Sequence, residues 1–152
     1  MRRSAWRIVC AGGYCAAGFH GTIGHSDVWN RIDAPNHYTF NVKDEGAAAQ
    51  LGVLHDFFAA LPFWRMEPFP DVTGDAVALA EPGKVYVIYF PHGGAVTVDL
   101  SAVPGPLATR WFNPRAGEFG QPMRVTPANL RLDFTPPDTN DWALLVSPAL
   151  PP

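Results

Sequence analysis

The chain has 152 residues, of which 47% are hydrophobic and 16% are charged, and its formal net charge is -3 at pH 7. This length suits one ordinary domain, or one small domain with an appendage, and the composition excludes a disordered chain. The acidic balance argues against a nucleic-acid partner, and the sequence contains no run of about 18 apolar residues that would span a membrane.

The first residues imitate the charged start of a secretory signal, since Met1, Arg2 and Arg3 precede an apolar stretch. Arg7 interrupts that stretch, and Gly12 and Gly13 end it. A cleaved signal would need an uninterrupted apolar region. We therefore expect residues 5–11 (AWRIVCA) to form a short buried strand.

The two cysteines, Cys10 and Cys15, lie five residues apart near the start of the chain. Two cysteines are too few for a disulfide framework, and they lack partners at the spacing of zinc ligands. The interpretation that we favour is a pair of buried free thiols.

Residues 12–25 form a glycine-rich loop that carries His20 and His25, with Asp27 close by. The loop lacks both phosphate-binding glycine motifs. A metal site would need a third ligand, and His37 is the nearest candidate. The pair could instead hydrogen bond to a sugar or a similar polar ligand, or be satisfied by the backbone. We expect no metal and no cofactor.

A helix is predicted over residues 46–61, with Asp44 as its cap and Pro62 ending it. One apolar stripe at spacings of three and four comprises Leu51, Leu54, Phe58 and Leu61. Phe57 widens the stripe, which must either dock on the following domain or stay exposed as an association surface. An aromatic linker comes after the helix, and we expect it to pack the end of the helix onto the next domain. We place the domain boundary at about residue 68.

From residue 71 onward the pattern indicates strands. Val85–Phe90 is an unbroken β-branched and aromatic run, residues 95–100 alternate, and residues 107–112 form a third run. The economical prediction for these three is an antiparallel meander, joined by turns such as Pro91–Gly94. Other strand candidates are residues 76–80, 123–125, 130–134 and 142–146. Short strands at about ten-residue spacing predict a small antiparallel β-sandwich.

The acidic residues stand mostly beside Gly, Pro or Asn, which is typical of solvated turns, and they show no paired arrangement for acid–base chemistry. We predict no catalytic residue in this chain. Aromatic rings can stack on sugars. However, Trp111, Phe112 and Trp142 lie on strand patterns, where packing in the core is the expected role. Arg110, beside Trp111, should point to the opposite face.

Motifs in the second half resemble a known family, the "putative collagen-binding domain of a collagenase". They are PGKVYVIYFPHGG, RWFNPR and the late Asp141–Trp142 pair. That module commonly comes after an apiosidase-like glycoside-hydrolase barrel in bacterial enzymes. Upstream, the runs AGGYCAAGFHGTIGHSDVW and LHDFFAALPFWRMEP are similar to the last strand, loop and helix of such a barrel.

The resemblance implies a mainly β fold with two unequal parts. Residues 69–152 would be a β-sandwich accessory domain, and residues 1–68 would be the C-terminal remnant of a TIM barrel: a strand, a glycine-rich loop and a helix. A barrel takes about 250 residues, and its catalytic carboxylates would lie on earlier strands. In an intact relative, His20, His25 and Trp29 would lie in the last loop of the barrel, at the edge of the substrate cleft.

The expected function is therefore a non-catalytic accessory module of a carbohydrate-active enzyme, which packs on or assists the barrel. One alternative is a fragment of a split or truncated glycoside hydrolase that is active only with the missing barrel. Another is a free-standing carbohydrate- or matrix-binding module. The implied partners are a polysaccharide or glycoside and a barrel domain or partner chain. The resemblance implies secretion or a periplasmic location, although the residues show no clear signal peptide.

Overall fold

The computed structural model describes residues 2–14, 45–103, 105–126 and 131–148. In these residues there are two α-helices, one short 3-10 helix at Phe63–Arg65 and nine strands. The helices are α1 (Arg2–Cys10) and α2 (Glu45–Ala59); the strands are β1 (Glu67–Pro68), β2 (Val77–Glu81), β3 (Val85–Phe90), β4 (Val96–Asp99), β5 (Leu107–Asn113), β6 (Glu118–Phe119), β7 (Met123–Val125), β8 (Arg131–Phe134) and β9 (Trp142–Ser147).

Seven of these strands form one antiparallel sheet in the order β1-β2-β3-β9-β5-β6, and β7 also pairs with β5. The other two strands, β4 and β8, form a separate antiparallel pair. The predicted antiparallel β-sandwich is confirmed. None of the helices in the described ranges is long and apolar enough to cross a membrane.

Strand β3 is buried along its whole length, because both faces of the large sheet are covered. Val85, Val87 and Tyr89 join the core beneath the helices. Tyr86, Ile88 and Phe90 join the core beneath the β4–β8 pair. A strand covered on both faces requires an unbroken apolar run instead of an alternating one, which is the pattern that the sequence shows. The described residues are thus arranged in three layers: the helices, the large sheet and the small sheet.

The two helices and the large sheet pack around one aromatic side chain, Trp6. Trp6 of α1 is fully buried and stacks on Tyr89, with ring centroids 5.5 Å apart. Phe57 of α2 meets Trp6 edge-on at 5.0 Å. Leu54 and Phe58 are buried in the same core. The stripe predicted for this helix therefore docks on the sandwich, and the alternative of an exposed association surface is wrong.

The strand expected over residues 5–11 is wrong, because this segment belongs to a helix, α1. Two of its three buried residues, Trp6 and Cys10, lie four positions apart, and Arg3 and Arg7 have the same spacing on the exposed side. That is helical periodicity. An apolar stretch this short fits the period of a strand as well as that of a helix. The packing of Trp6 on distant residues favours the helix. Cys10 is a buried free thiol, as expected.

The meander is also wrong, because its three consecutive strands do not pair with one another. β3 pairs with β2 and β9, β5 pairs with β9, β6 and β7, and β4 lies in the other sheet. The turn after β3 carries the chain from one layer to the other instead of folding it into a hairpin. Turn residues alone do not distinguish these two outcomes.

The aromatic linker does not pack as expected. Trp64 is 72% exposed and Phe63 is 43% exposed, while Met66 enters the core. The linker instead contacts the sheet through a salt bridge, in which Nη2 of Arg65 lies 2.6 Å from Oε1 of Glu81 in β2. The two predicted segments, 1–68 and 69–152, nevertheless share one hydrophobic core.

Phe57→Ala should lower the free energy of unfolding by about 3–5 kcal/mol, because it opens a cavity beside Trp6 in the core that joins helices and sheet. His55→Ala, on the same helix but with its side chain 78% exposed, should change it by less than about 0.5 kcal/mol. Urea unfolding followed by tryptophan fluorescence measures both. Equal effects of the two substitutions would contradict a docked helical layer.

Candidate functional site

The predicted ligand-facing residues His20, His25 and Trp29 lie outside the described residues, as do Cys15 and Asp44. The structure brings together a different set of side chains. They come from the motifs of the second half, which meet at the end of the sheet where β9 begins and β3 and β5 end.

Asp141 immediately precedes β9 and is fully buried. Its carboxylate accepts two hydrogen bonds from the Arg2 guanidinium, from Nε and Nη2, each 2.9 Å long. The hydroxyl of Tyr89 donates a third, at 3.1 Å. Because Arg2 belongs to α1, this carboxylate ties the helical layer to the centre of the sheet.

The electrostatics of this cluster keep Asp141 ionised. Burial by itself would raise the pKa of Asp141, but the hydrogen bonds and charge of Arg2, together with the Tyr89 hydroxyl, outweigh it and hold the pKa below its ordinary value. Burial and the neighbouring carboxylate raise the pKa of Tyr89, so its hydroxyl stays protonated and donates. The arrangement is a structural anchor, since the carboxylate has no exposed surface.

Trp142, the next residue, points to the other face of the sheet. Its indole N–H donates to Oδ1 of Asp138 at 2.8 Å, and the Arg115 guanidinium lies 5.1 Å from its ring centroid. The indole hydrogen bond and the backbone N–H of Asn140 lower the pKa of Asp138 to about 2. Asn113 fixes Arg115 by accepting from its backbone N–H and its Nε, both at 3.0 Å.

The glycine motifs also have structural roles. Gly83 has a φ of +80° and donates its N–H to the Tyr86 hydroxyl at 2.8 Å, which closes the turn between β2 and β3. A Cβ on Gly93 would lie 2.6 Å from the Cα of Thr139. Gly93 therefore lets the turn after β3 lie against the loop that carries Asp138.

A cleft opens beside this motif cluster, between the two sheets. The β4–β8 pair covers only part of the large sheet, and a space of about 250 Å³ remains above β5 and β7. Its walls include Thr109, Trp111, Met123, Asp133, Phe134 and Thr135. In the described ranges, no group of three or more His, Cys, Asp and Glu side chains could hold a metal ion.

Trp111 forms a fixed wall of this cleft. It is half-buried, and its ring meets Phe90 at 5.1 Å and Trp142 at 6.3 Å, both edge-on.

On β8, Leu132 and Phe134 face the large sheet. Asp133 alternates with them on the exposed outer face, where it accepts a hydrogen bond from the Thr97 hydroxyl at 2.6 Å. Glycoside cleavage uses two carboxyl groups that flank the bond, and Asp133 is the single acid among the described residues of this lining. The described lining of the cleft therefore does not contain the pair of acids that this reaction uses.

Sequence reasoning missed the most constrained acid, because it assigned Asp141 to a solvated turn although Asp141 is fully buried. The same expectation is confirmed for Asp138, which lies in an exposed turn and accepts a hydrogen bond from the backbone N–H of Asn140 in addition to the one from the Trp142 indole. The available signal was the position of Asp141 immediately before a strand that is buried on both faces. Its partner, Arg2, lies 139 positions away, so no local pattern could identify the pair.

The family is established by a match over the second half. Residues 72–147, half of the chain, match the family described as "Putative collagen-binding domain of a collagenase". The chain belongs to this family. The match contains all three motifs on which the resemblance was based, and it places the cleft and the motif cluster inside the family's domain.

Two solved structures with a similar fold are described as glycoside hydrolases. One, described only as a glycoside hydrolase, has a TM-score of 0.56 and 20% identity, covering 64% of this chain and 24% of that one. A glycoside hydrolase family 5 from Bacteroides vulgatus ATCC 8482 also has a TM-score of 0.56, with 19% identity over 64% of this chain and 23% of its own. The chain thus spans about a quarter of these proteins. A comparison with curated proteins gave no match.

Asp141→Asn should lower the free energy of unfolding at pH 7 by about 2–4 kcal/mol, because it leaves the Arg2 charge without a counter-charge in a mostly buried place. The pKa of Asp141 is lower in the folded than in the unfolded chain. Its stabilisation is therefore fully present above about pH 4 and is lost as the pH falls further. Urea unfolding at pH 7 and at about pH 3 should show the difference between wild type and variant shrinking.

The matched control is Asp75→Asn, which removes an exposed carboxylate paired with Arg7 at 3.0 Å. It should cost less than about 1 kcal/mol at pH 7. A difference between wild type and Asp141→Asn that did not shrink at low pH would show that the buried charge pair does not stabilise the fold.

Gly93→Ala should destabilise the fold by about 1–3 kcal/mol, because the added Cβ meets the backbone of Thr139, which cannot move alone. Gly52→Ala, in the middle of α2 with open space around it, should stabilise it by about 0.5–1 kcal/mol. Thermal unfolding of both variants measures this contrast. An unchanged melting temperature in Gly93→Ala would mean that the two loops do not lie this close in solution.

Proposed function

We propose that this chain is a non-catalytic accessory module of a carbohydrate-active enzyme, which packs on or assists a glycoside-hydrolase barrel. The observation that carries the proposal is that the side chains of the family motifs are engaged with one another. Asp141 anchors a helix, Asp138 holds an indole, and Arg115 lies over that indole. The role of these groups is to organise the domain.

The acids of the motif cluster are unsuited to acid–base catalysis. A general acid needs a pKa near the working pH and contact with the substrate. Asp138 has a pKa of about 2 and is ionised throughout the neutral range. Asp141 is fully buried and saturated by Arg2 and Tyr89. Neither can donate a proton to a glycosidic oxygen.

The helical side is the one that we assign to the barrel. In a (β/α)8 barrel the helices form the outer ring, so a domain that packs against the side of the barrel contacts those helices. Here α1 and α2 seal one face of the large sheet. The structural likeness to glycoside hydrolases covers 64% of the chain, more than the half matched by the family model. On this proposal, α1 and α2 are helices of the outer ring, and exposed Trp64 meets the barrel.

Two other functions would use the same fold. A fragment of a split glycoside hydrolase would need the missing barrel for activity, and an assay of hydrolysis distinguishes an active enzyme from an accessory module.

A free-standing carbohydrate-binding module is favoured by one specific observation, the cleft beside Trp111. Binding and accessory roles are compatible.

The test is hydrolysis by the purified chain. Incubated with a panel of aryl glycosides and soluble polysaccharides, it should release no more aglycone or reducing sugar than a heat-denatured sample. The panel should be run between about pH 4 and pH 8, where a carboxyl pair would act. Turnover that survives repurification and disappears on replacing Asp133 or Asp138 would contradict a non-catalytic module.

A further inference from the structure

We propose that two copies of this chain pair through the outer edge of β8. The two β8 strands run antiparallel about a two-fold axis at Leu132, so that Arg131 of each copy lies opposite the partner's Asp133. The β4–β8 pair of each copy then becomes half of a four-stranded sheet. This inference goes beyond the proposed function, and it rests on the backbone directions and the charges of one strand.

The hydrogen bonds of β4 show which way its backbone groups point. The backbone C=O of Thr97 accepts from the N–H of Thr73 at 3.0 Å, and the N–H of Asp99 donates to the C=O of Asp71 at 3.0 Å. The N–H of Thr97 donates to the Thr73 hydroxyl at 2.9 Å. These groups of Thr97 and Asp99 are therefore directed to residues 71–73, on the side of β4 away from β8.

The directions on β8 follow from those on β4. Two residues that lie opposite each other in an antiparallel ladder point their backbone groups either both toward each other or both away. Thr97 lies opposite Asp133, and Asp99 lies opposite Arg131. The N–H and C=O groups of Arg131 and Asp133 therefore point outward from β8, where no strand of the described ranges pairs with them.

The other sheet edges in the described ranges are short or covered. β1 has two residues and ends in Pro68, residues 71–73 cover β4, and the edge formed by β6 and β7 is interrupted at residues 120–122. Proteins protect an exposed edge with proline, a bulge or an inward-pointing charge. β8 has no proline, and its inward-facing residues are the apolar Leu132 and Phe134.

Charge selects a second copy and its register. Outward-pointing residues must oppose outward-pointing residues for the backbones to bond, and their Cα atoms are then about 5.5 Å apart. A two-fold axis at Arg131 would oppose two arginines, and one at Asp133 would oppose two aspartates; like charges directly opposite are destabilising. An axis at Leu132 opposes Arg131 and Asp133 twice. The edge is thus self-complementary in this register.

The pairing gives Asp133 a counter-charge. Among the described residues of one chain, Arg131 has a carboxylate partner, Asp99, with its Nε 3.2 Å from Oδ2, whereas Asp133 has only the Thr97 hydroxyl at 2.6 Å. These side chains lie on the exposed face, where an ion pair contributes little to affinity. A pairing of four-residue strands is also small, so we expect a weak dimer with a dissociation constant of about 0.1–1 mM.

The experiment measures the association of the full chain by sedimentation equilibrium. Between about 10 µM and 1 mM protein, the average mass should rise from that of one chain toward that of two. Raising the NaCl concentration from about 20 mM to 0.5 M should weaken the dimer by about twofold or more, because salt screens exposed charges.

Charge reversal tests the register. Arg131→Asp makes the edge acidic and Asp133→Arg makes it basic, so each variant alone should dimerise about tenfold more weakly than wild type or worse. An equimolar mixture of the two variants should regain at least the wild-type affinity, because every acidic residue then faces a basic one. Two variants damaged in folding would not recover on mixing.

The control is Asp56→Arg, the same charge reversal on α2 in the opposite layer, at a side chain that is 82% exposed. It should dimerise like wild type.

The inference is overturned if the chain keeps the mass of one copy up to about 1 mM. Protection of the Arg131 and Asp133 amides from hydrogen exchange in such a monomer would assign the edge to another segment of the same chain. It is also overturned if a dimer forms but mixing the two variants does not restore it, since the contact would then lie elsewhere. Either result leaves the accessory role standing, because that role is tested by hydrolysis.

Discussion

The structure depends on the burial of both faces of β3 and its neighbour β9. One face is covered by the small sheet and the other by α1 and α2, so neither layer can be removed without exposing the core of the large sheet. Burial of this apolar area is the dominant stabilising term. The charge pair between Asp141 and Arg2 fixes the position of α1 over the sheet. The helices thus share one hydrophobic core with the large sheet.

Much of the fold could be predicted because local periodicity reports burial. Val85–Phe90 and Met123–Val125 are strands with the predicted bounds, and Glu45–Ala59 is a helix close to the predicted one. The features that could not be predicted are non-local. The partner of each strand depends on layers that the turn residues do not encode, and α1 was mistaken for a strand because its short apolar stretch fits both periods.

The candidate site divides in the same way. The motifs RWFNPR and Asp141–Trp142 were identified from the sequence, but their roles depend on contacts between distant segments, such as Arg115 over Trp142. The cleft could not be predicted at all, since it arises where one sheet is wider than the other. Trp111 was expected in the core, and the structure places it half in the core and half in the cleft wall.

Native-state hydrogen exchange tests the central claim most directly, because it measures the opening free energy of each layer separately. If helices and sheet are one cooperative unit, the slowest amides of α1 and α2 should open with the same free energy as those of β3 and β9, and with the same dependence on denaturant. Helical amides that exchange through a separate opening of much lower free energy, while β3 and β9 stay protected, would contradict the account.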